Sequence, residues 1–256
     1  YLRVTPDTYS VNALVQVEDS KGASAALLGD LSQMIEQKSP AQSEIEILKS
    51  RLVLGSVIQA LRLDLNISST EDTLRNRLLK KLYYTTEYNP QSVIFKDNTK
   101  QFEVRDFLIP NQFIDKGLTL TFKNRDFFLV DPKNDQVIFT GIINQSNSIQ
   151  NKYGAWKVSV FTKDTLTSAY RIHKKSLPAA VNAISSNYNV AERGKMTGIL
   201  GLSYQGQDKQ HITNVLNAIL SAYSAQNVAR RSAETAQTLK FLDEQLPELK
   251  KQLDNA

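Results

Sequence analysis

The chain has few of the side chains that usually perform catalysis or bind metals: two histidines and no cysteine in 256 residues. His173 lies in a strand-like pattern and His211 near the start of a predicted helix. Neither has a Cys, Asp or Glu at the spacing of a helical metal site. The sequence also lacks a Gly-x-Ser-x-Gly turn, which would present a nucleophilic serine. We therefore expect no catalytic, metal or cofactor site here, and interpret both histidines as surface or capping residues.

One short motif is similar to the end of a phosphate-binding loop. Gly194 is followed by Lys195, Met196 and Thr197, but the loop also requires an earlier glycine where this chain has Asn189. It further requires a helix after the lysine, whereas the following residues alternate like a strand. The sequence therefore predicts a tight turn at Gly194 that leads into a strand.

The composition is that of an ordinary core-forming protein, with 41% hydrophobic residues and a net charge of +5 from 31 basic and 26 acidic side chains. Basic residues are scattered, and Arg230 and Arg231 form the only adjacent arginine pair, which argues against nucleic-acid binding. A pI of about 9.2 permits weak attraction to anionic lipid or polysaccharide. These features favour a binding, scaffolding or assembly module over an enzyme.

The elements that would position such a module begin with a strand and several helices. Residues 9–17 alternate apolar and polar side chains like a strand, and residues 23–37 have a helical pattern. A further helix is predicted to start at Pro40 and to bury two apolar stripes, one of which contains Leu52. A third helix is predicted to start near Ser69.

The central part of the chain has a β-rich pattern. Residues 91–165 contain short apolar runs typical of five or six antiparallel strands, with a turn at 131–135. A strand, a helix around 178–186 and another strand follow. We therefore predict an α+β fold in which residues 1–207 form one body with mixed or antiparallel sheet, packed helices and a β-rich insertion.

The last part of the chain is predicted to be one long projecting helix over residues 208–256, with Asp208 as its N-cap. A continuous helix of this length would extend roughly 70 Å. Pro247 should kink it or remove a hydrogen bond. Leucines follow the alternating three- and four-residue spacing of a coiled coil and form a candidate oligomer face: Leu239, Leu242, Leu246, Leu249 and Leu253. The alternative is one amphipathic helix packed on the body.

The two ends of the sequence predict a piece of a longer protein. The chain begins without Met and stops inside the heptad pattern without a capping signal. The absence of cysteine fits either a reducing compartment or an exported domain, and does not choose between them.

Three stretches together resemble the periplasmic region of bacterial polysaccharide co-polymerases, the Wzz chain-length-determinant family. The resemblance is strongest to its Wzc-type tyrosine autokinases, which govern the export of capsule and exopolysaccharide. It runs along almost the whole chain and is weakest over 66–100. The stretches are YSVNALVQVED with the segment from 39 to 65, VRDFLIP through the segment ending FTGII, and VAERGKMTGILGLSYQGQD with the helix that follows.

The resemblance implies a parent protein of the bacterial inner membrane, with membrane spans on both sides of a periplasmic α+β region. A cytoplasmic kinase domain using ATP and Mg²⁺ would lie outside this chain. The parent is expected to form a homo-oligomeric ring of eight subunits, whereas the isolated chain should be mainly monomeric. Implied partners are the polysaccharide polymerase, the outer-membrane exporter and the glycan, with no nucleic acid.

Three alternatives stay open at this point. A co-polymerase without a kinase, which sets the length of lipopolysaccharide O-antigen, would have the same periplasmic fold. A coiled-coil adaptor of an export machine would lack an α+β core around residues 39–65. An enzyme acting on polysaccharide would need two carboxylates brought together in a cleft.

Overall fold

The computed structural model describes residues 7–17, 40–71, 84–97 and 100–254. Within these ranges the chain forms two bodies with separate hydrophobic cores. We call the first the platform; it combines a small sheet with helices. We call the second the β-body; it is inserted between two platform helices. The predicted α+β class, antiparallel sheets and long C-terminal helix are confirmed.

The platform sheet has three antiparallel strands: β1 (Tyr9–Gln16), β12 (Tyr188–Glu192) and β13 (Ile199–Gly206), in the order β1-β13-β12. The strand predicted at residues 9–17 is confirmed, since alternate side chains of β1 are partly buried against the core. Four helices complete the platform: α1 (Pro40–Lys49), α2 (Arg51–Leu61), α3 (Leu177–Ser185) and α4 (Lys209–Asp254). An α+β core thus surrounds α1 and α2, contrary to the adaptor alternative.

The single helix predicted after Pro40 is in fact two helices. Ser50 adopts extended angles (φ −69°, ψ 157°), and its hydroxyl oxygen accepts a hydrogen bond from the Val53 amide at 3.4 Å. This break changes the direction of the chain between α1 and α2. Leu48 and Leu54 are fully buried, but Leu52 is 60% exposed, so its predicted place in a buried stripe is wrong.

The β-body consists of two five-stranded antiparallel sheets. One has the order β3-β4-β5-β10-β9 and the other β2-β11-β6-β7-β8. The strands are β2 (Leu65–Ser69), β3 (Tyr84–Asn89), β4 (Ser92–Asp97), β5 (Gln101–Leu108), β6 (Gly117–Lys123), β7 (Asp126–Asp131), β8 (Gln136–Ile142), β9 (Gln145–Asn151), β10 (Gly154–Phe161) and β11 (Tyr170–Lys174).

The two sheets of the β-body enclose an aromatic core. Ring contacts join one sheet to the other, with centroid distances of 5.1 Å for Phe95 and Tyr170 and 5.4 Å for Phe139 and Trp156. Trp156 is 2% exposed, and its indole N–H donates to the Asn151 side-chain oxygen at 2.9 Å. The partnered N–H lets this large side chain fill the core without leaving a buried polar group unsatisfied.

Residues 91–165 contain seven strands, β4 to β10, against the five or six that were predicted, and β2, β3 and β11 bring the described β-body to ten. Strands β3 and β9 were missed because their side chains are mainly polar and half-buried or exposed. Ser69, the predicted start of a helix, is the last residue of β2. The turn at 131–135 is confirmed. The helix predicted over 23–37 and residues 72–83 lie outside the described ranges.

The chain passes between the two bodies twice, once in each direction. Asp64 leaves the platform and Lys174 returns to it, and the Lys174 ammonium lies 2.6 Å from the Asp64 carboxylate. Arg62, left-handed at φ 56°, ends α2 and donates from its guanidinium to the backbone oxygens of Gln91, at 2.9 Å, and of Arg105. Backbone and side chain together therefore fix the β-body on the platform.

None of the helices in the described ranges contains a stretch that is both long and apolar enough to span a membrane.

Candidate functional site at the projecting helix

The long helix α4 begins on the platform and then leaves it. Asp208 caps it as predicted, since its carboxylate accepts from the His211 amide at 2.8 Å. The first four turns bury one stripe of side chains against the platform core: Ile212, Val215, Leu216, Ile219 and Tyr223. Beyond Tyr223 no α4 side chain that the structure describes is buried. The remaining 31 residues of the helix, to Asp254, extend about 45 Å.

The point of departure is fixed by a buried carboxylate. Glu44 of α1 is 8% exposed and accepts two hydrogen bonds from α4: from the Tyr223 hydroxyl at 2.8 Å and from the Arg230 guanidinium at 2.6 Å. The guanidinium also donates to the Asn227 side-chain oxygen at 3.0 Å. A buried carboxylate is tolerated when it is paired and hydrogen-bonded, as it is here. We call Glu44, Tyr223 and Arg230 the anchor.

The ionisation of the anchor reflects these contacts. Burial, followed by the hydrogen bond to Glu44, raises the pKa of Tyr223 to about 12. The hydrogen bond to Glu44 raises the pKa of Arg230 above its ordinary value. Tyr223 is therefore a neutral donor and Arg230 a permanent cation at neutral pH, which suits both as donors to Glu44.

A small apolar pocket of about 190 Å³ adjoins the anchor. Ile47 and the exposed Leu52 line it from α1 and α2, and Gln226 lines it from α4. The exposure of Leu52 thus leaves an apolar surface beside the base of the projecting helix.

The projecting part of α4 carries a second stripe, with exposed apolar side chains. Val228, Leu239 and Leu242 are 66%, 57% and 47% exposed. Ser232 and Thr235 fall on the same stripe and continue the four- and three-residue spacing back from Leu239. Since each residue turns the helix by about 100°, this stripe lies roughly 150° around the axis from the one that the platform buries. One packing partner therefore does not cover both.

The structure describes the side chains of two of the five leucines that were predicted as an oligomer face. Leu239 and Leu242 are exposed, which argues against the alternative in which they pack on the body. Leu246, Leu249 and Leu253 belong to the same helix, which continues through Pro247, but their side chains lie outside the described part of the molecule. Their role in an oligomer face stays a prediction.

The sequence analysis missed the anchor and the beginning of the exposed stripe. Glu44 occupies a position between Ala41 and Leu48 on the buried face of α1, where an acidic residue signals a buried partner. That signal was available. Val228 was overlooked because the small polar residues that follow it interrupt the run of large apolar positions.

Both histidines are half-buried, so their interpretation as surface residues is only partly correct. The His211 ring packs on the Tyr88 ring of β3, with centroids 4.9 Å apart, and burial lowers the pKa of His211. His173 lies in β11, and its Nε2 atom is buried without a hydrogen-bond partner among the described residues. In the described ranges, the structure contains no cluster of three or more His, Asp or Glu side chains suited to a metal ion.

The segment at Gly194 is a hairpin turn between β12 and β13, as predicted. Gly194 has φ 92° and Met196 has φ 56°. The Thr197 hydroxyl donates to the Arg193 carbonyl oxygen at 2.7 Å and accepts from the Ile199 amide at 3.2 Å. These hydrogen bonds close the turn on itself, and no helix follows it.

Comparison with known proteins gives this architecture a family. Residues 1–61 match the model of Wzz, described as "Chain length determinant protein". The chain is 66% identical, over all of its 256 residues, to "Tyrosine-protein kinase ptk" of Acinetobacter johnsonii. It is 32% identical over 97% of its length to "Putative tyrosine-protein kinase AmsA" of Erwinia amylovora, and 29% identical over 97% to "Tyrosine-protein kinase wzc" of Salmonella typhimurium. The chain is a Wzc-like relative of these kinases. The resemblance predicted from the sequence is confirmed.

The Wzc-like chain spans about a third of the length of these relatives: 35%, 32% and 32% respectively. Among solved structures, FlgL of Xanthomonas campestris aligns over 63% of this chain and 49% of its own, with 14% identity and a TM-score of 0.26. That score is too low to support any argument about fold or function.

Proposed function

We propose that this chain is the periplasmic region of an inner-membrane tyrosine autokinase that regulates the polymerisation, chain length and export of capsular polysaccharide or exopolysaccharide. The observation that carries the proposal is the 66% identity to a tyrosine-protein kinase along the entire chain, together with the match of residues 1–61 to the chain-length-determinant model. The kinase reaction, with its ATP and Mg²⁺, belongs in this proposal to the part of the parent protein outside these residues.

The geometry supports an organising role for this region. The anchor holds α4 rigidly at its exit from the platform, and the stripe from Val228 to Leu242 leaves apolar side chains exposed on the projecting part. Exposed apolar side chains at coiled-coil spacing are stabilised by a partner helix. In the proposed ring, α4 of each subunit would meet such a helix while the platform and the β-body set the distance between subunits. The polymerase and the outer-membrane exporter would then contact the assembled ring.

A region exchange in the parent gene tests the function. The codons for residues 1–256 are replaced by the matching region of a relative whose bacterium secretes polymer of a different length, and the secreted polymer is sized by gel filtration. We expect the length distribution to move towards that of the donor. Tyrosine phosphorylation of the parent protein, measured on the same cells, controls for loss of the kinase. Unchanged polymer length after exchange or deletion of this region would overturn the proposal.

Accessibility of a single cysteine tests the periplasmic location. The chain has no cysteine, and the Met196 side chain at the hairpin tip is 82% exposed. We expect Met196→Cys to react with a membrane-impermeant maleimide in spheroplasts, in a parent protein free of other reactive cysteines. The matched control is Val158→Cys, which places the thiol at a fully buried site in the β-body and should stay unlabelled until the protein is denatured. Labelling of Met196→Cys only after lysis would contradict a periplasmic location.

A further inference from the structure

An open cleft lies on the outer face of the β-body, distant in sequence from the projecting helix. It has a volume of about 620 Å³ and is formed by β5, the end of β10 and the two loops beside them. Glu103 and Arg105 of β5 line it together with Phe161 of β10, while their neighbours Phe102 and Val104 point into the core. One wall of the cleft is therefore built on a sheet, and the other on the two loops.

Strand alternation places Arg105 on the same outer face of β5 as Glu103, and a β-bulge lies at this position. Val160 pairs with Val104 and Ser159 with Asp106, so Arg105 is an extra residue with no partner on β10. Bulges of this kind occur often beside functional sites. The carbonyl oxygen of Arg105 accepts a hydrogen bond from Arg62, at the end of α2, so the platform itself holds the bulge in place.

The Arg105 guanidinium lies over the Phe161 ring, 4.1 Å from its centroid, and pairs with Glu103 at 3.1 Å. The hydrogen bond from Arg105 lowers the pKa of Glu103 below its ordinary value, so its carboxylate is ionised at neutral pH. An arginine has five N–H donors, and a carboxylate has two acceptor oxygens. The pair therefore presents donors and acceptors side by side, next to the edge of an aromatic ring.

The far wall of the cleft is held by a closed hydrogen-bond network. The Asn144 amide exchanges two hydrogen bonds with the backbone of Thr162, at 2.9 and 2.8 Å. The Thr162 hydroxyl donates to the Gln101 carbonyl oxygen at 2.7 Å, and the Gln101 amide donates to Asp164 at 2.7 Å. Such a wall loses little conformational entropy when a ligand binds, because it is already ordered.

The charges that line the cleft balance. Arg105 and Lys163 are cationic, and Glu103 and Asp164 are anionic. A polyanion would meet two carboxylates here, and a polycation would meet two cations. A hydroxyl group both donates and accepts, so a surface of alternating donors and acceptors suits a chain of sugars. The edge of the Phe161 ring, whose face the Arg105 guanidinium covers, adds an apolar border to these polar groups.

From this arrangement we infer that the cleft around Arg105 and Phe161 binds a hydroxyl-rich segment of the polysaccharide. The inference rests on the proposed function for its choice of polymer and adds the glycan-contacting residues to it. Recognition is through hydroxyl groups rather than net charge. Arg105 is the central contact of the proposed site, and Arg62 holds its backbone through a hydrogen bond to the carbonyl oxygen.

Binding by the isolated chain tests the inference. The probes are oligosaccharides of four to eight sugars, prepared by partial hydrolysis of the exopolysaccharide that the parent bacterium secretes. Titration into isotope-labelled protein should shift the backbone amide signals of residues 101–105 and 161–164. Arg105→Ala should weaken binding about tenfold or more, the scale of losing one charge-assisted hydrogen bond. Arg105→Lys keeps the charge but loses the planar arrangement of donors. Its affinity should fall between those of the native chain and Arg105→Ala.

The matched control is Lys123→Ala, which removes an exposed cation at the end of β6 and should leave binding unchanged. An unchanged thermal midpoint for the Arg105 variants would show that they are folded. Raising the salt from 50 to 500 mM should change the Kd less than about threefold, because recognition does not depend on net charge. Shifts confined to another surface, equal binding by Arg105→Ala, or a loss of more than about tenfold with salt would each overturn the inference.

The outcome is separable from that of the region exchange. If exchange alters polymer length but the oligosaccharides do not bind at this cleft, the inferred glycan site is wrong and the proposed function stands. If they bind but exchange has no effect on polymer length, the site stands and the proposed function fails.

Discussion

The β-body and the platform bury their apolar residues in different ways. In the β-body, two complete sheets close over an aromatic core containing Trp156, Phe95, Phe102, Phe127 and Tyr170. In the platform, the core is mainly aliphatic, and one of the helices that build it continues far beyond it. The two sheets of the β-body thus enclose their own core, whereas helix α4 of the platform extends beyond the platform core. This difference shows that exposed apolar surface on α4 belongs to the platform, whereas the large aromatic side chains of the β-body are buried in its own core.

The largest expected effect on stability comes from creating a cavity in the aromatic core of the β-body. Trp156→Ala removes a side chain that is 2% exposed and should destabilise the β-body by about 4 kcal/mol, through lost burial and a cavity. If the two cores are independent, methyl signals of the platform residues Leu54 and Leu216 stay native in the NMR spectrum while those of Leu120 broaden or move. Trp156→Phe is the milder control. Loss of all three signals together would show that the junction couples the bodies into one unit.

The next effect concerns the exit of the helix from the platform. Glu44→Ala leaves the Arg230 guanidinium and the Tyr223 hydroxyl without their shared acceptor and should cost about 2–3 kcal/mol. Chemical denaturation measures this cost. Glu46→Ala, an exposed position two residues along the same helix, is the control and should change stability by less than about 0.5 kcal/mol. A similar loss for both variants would mean that the anchor adds nothing specific.

A pH effect should appear at the contact between the two bodies. Burial lowers the pKa of His211 from its ordinary value of 6.5, so the folded protein binds this proton less readily than the unfolded chain. The contribution of neutral His211 to the free energy of unfolding is therefore complete above pH 6.5. It is lost as the pH falls from there towards the lower pKa of His211 in the folded state.

Asp208 on the same helix opposes this shift, and the neutral Tyr88 packs on the ring. Thermal midpoints measured from pH 7.5 to 5 should fall in the native chain and fall less in His211→Gln. Parallel curves for the two proteins would show that His211 does not titrate as its burial requires.

The smallest effect on stability is expected at the exposed stripe. Leu239→Asn and Leu242→Asn change side chains that are 57% and 47% exposed, so the isolated chain should lose less than about 0.5 kcal/mol. Association of the full-length parent, followed by crosslinking in membranes, should nevertheless weaken. Gln237→Asn, at an exposed position off this stripe, is the control. Destabilisation of the isolated chain by more than about 1 kcal/mol would instead place the leucines in its own core.

Local pattern predicted those elements whose side chains carry a strong periodic signal. Three such predictions agree with the structure: the alternation of Val11, Ala13 and Val15, the cap at Asp208 and the turn at Gly194. The break at Ser50 was missed, because apolar residues continue on both sides of it. Strand β9 was missed because its polar side chains face outwards, and its place in the sheet depends on pairing with β10.

The sequence alone determined that the chain is α+β, that it ends in a long helix with a heptad stripe, and that it resembles the Wzc-like kinases. Tertiary structure decided what those features mean. Only the fold brings Glu44 against Arg230, 186 residues away, and only the pairing of β5 with β10 brings Arg105 over the Phe161 ring. Periodicity is a property of neighbouring residues, so sequence reveals it directly. The partner of a buried carboxylate and the walls of a cleft arise from contacts between distant segments, which no local pattern encodes.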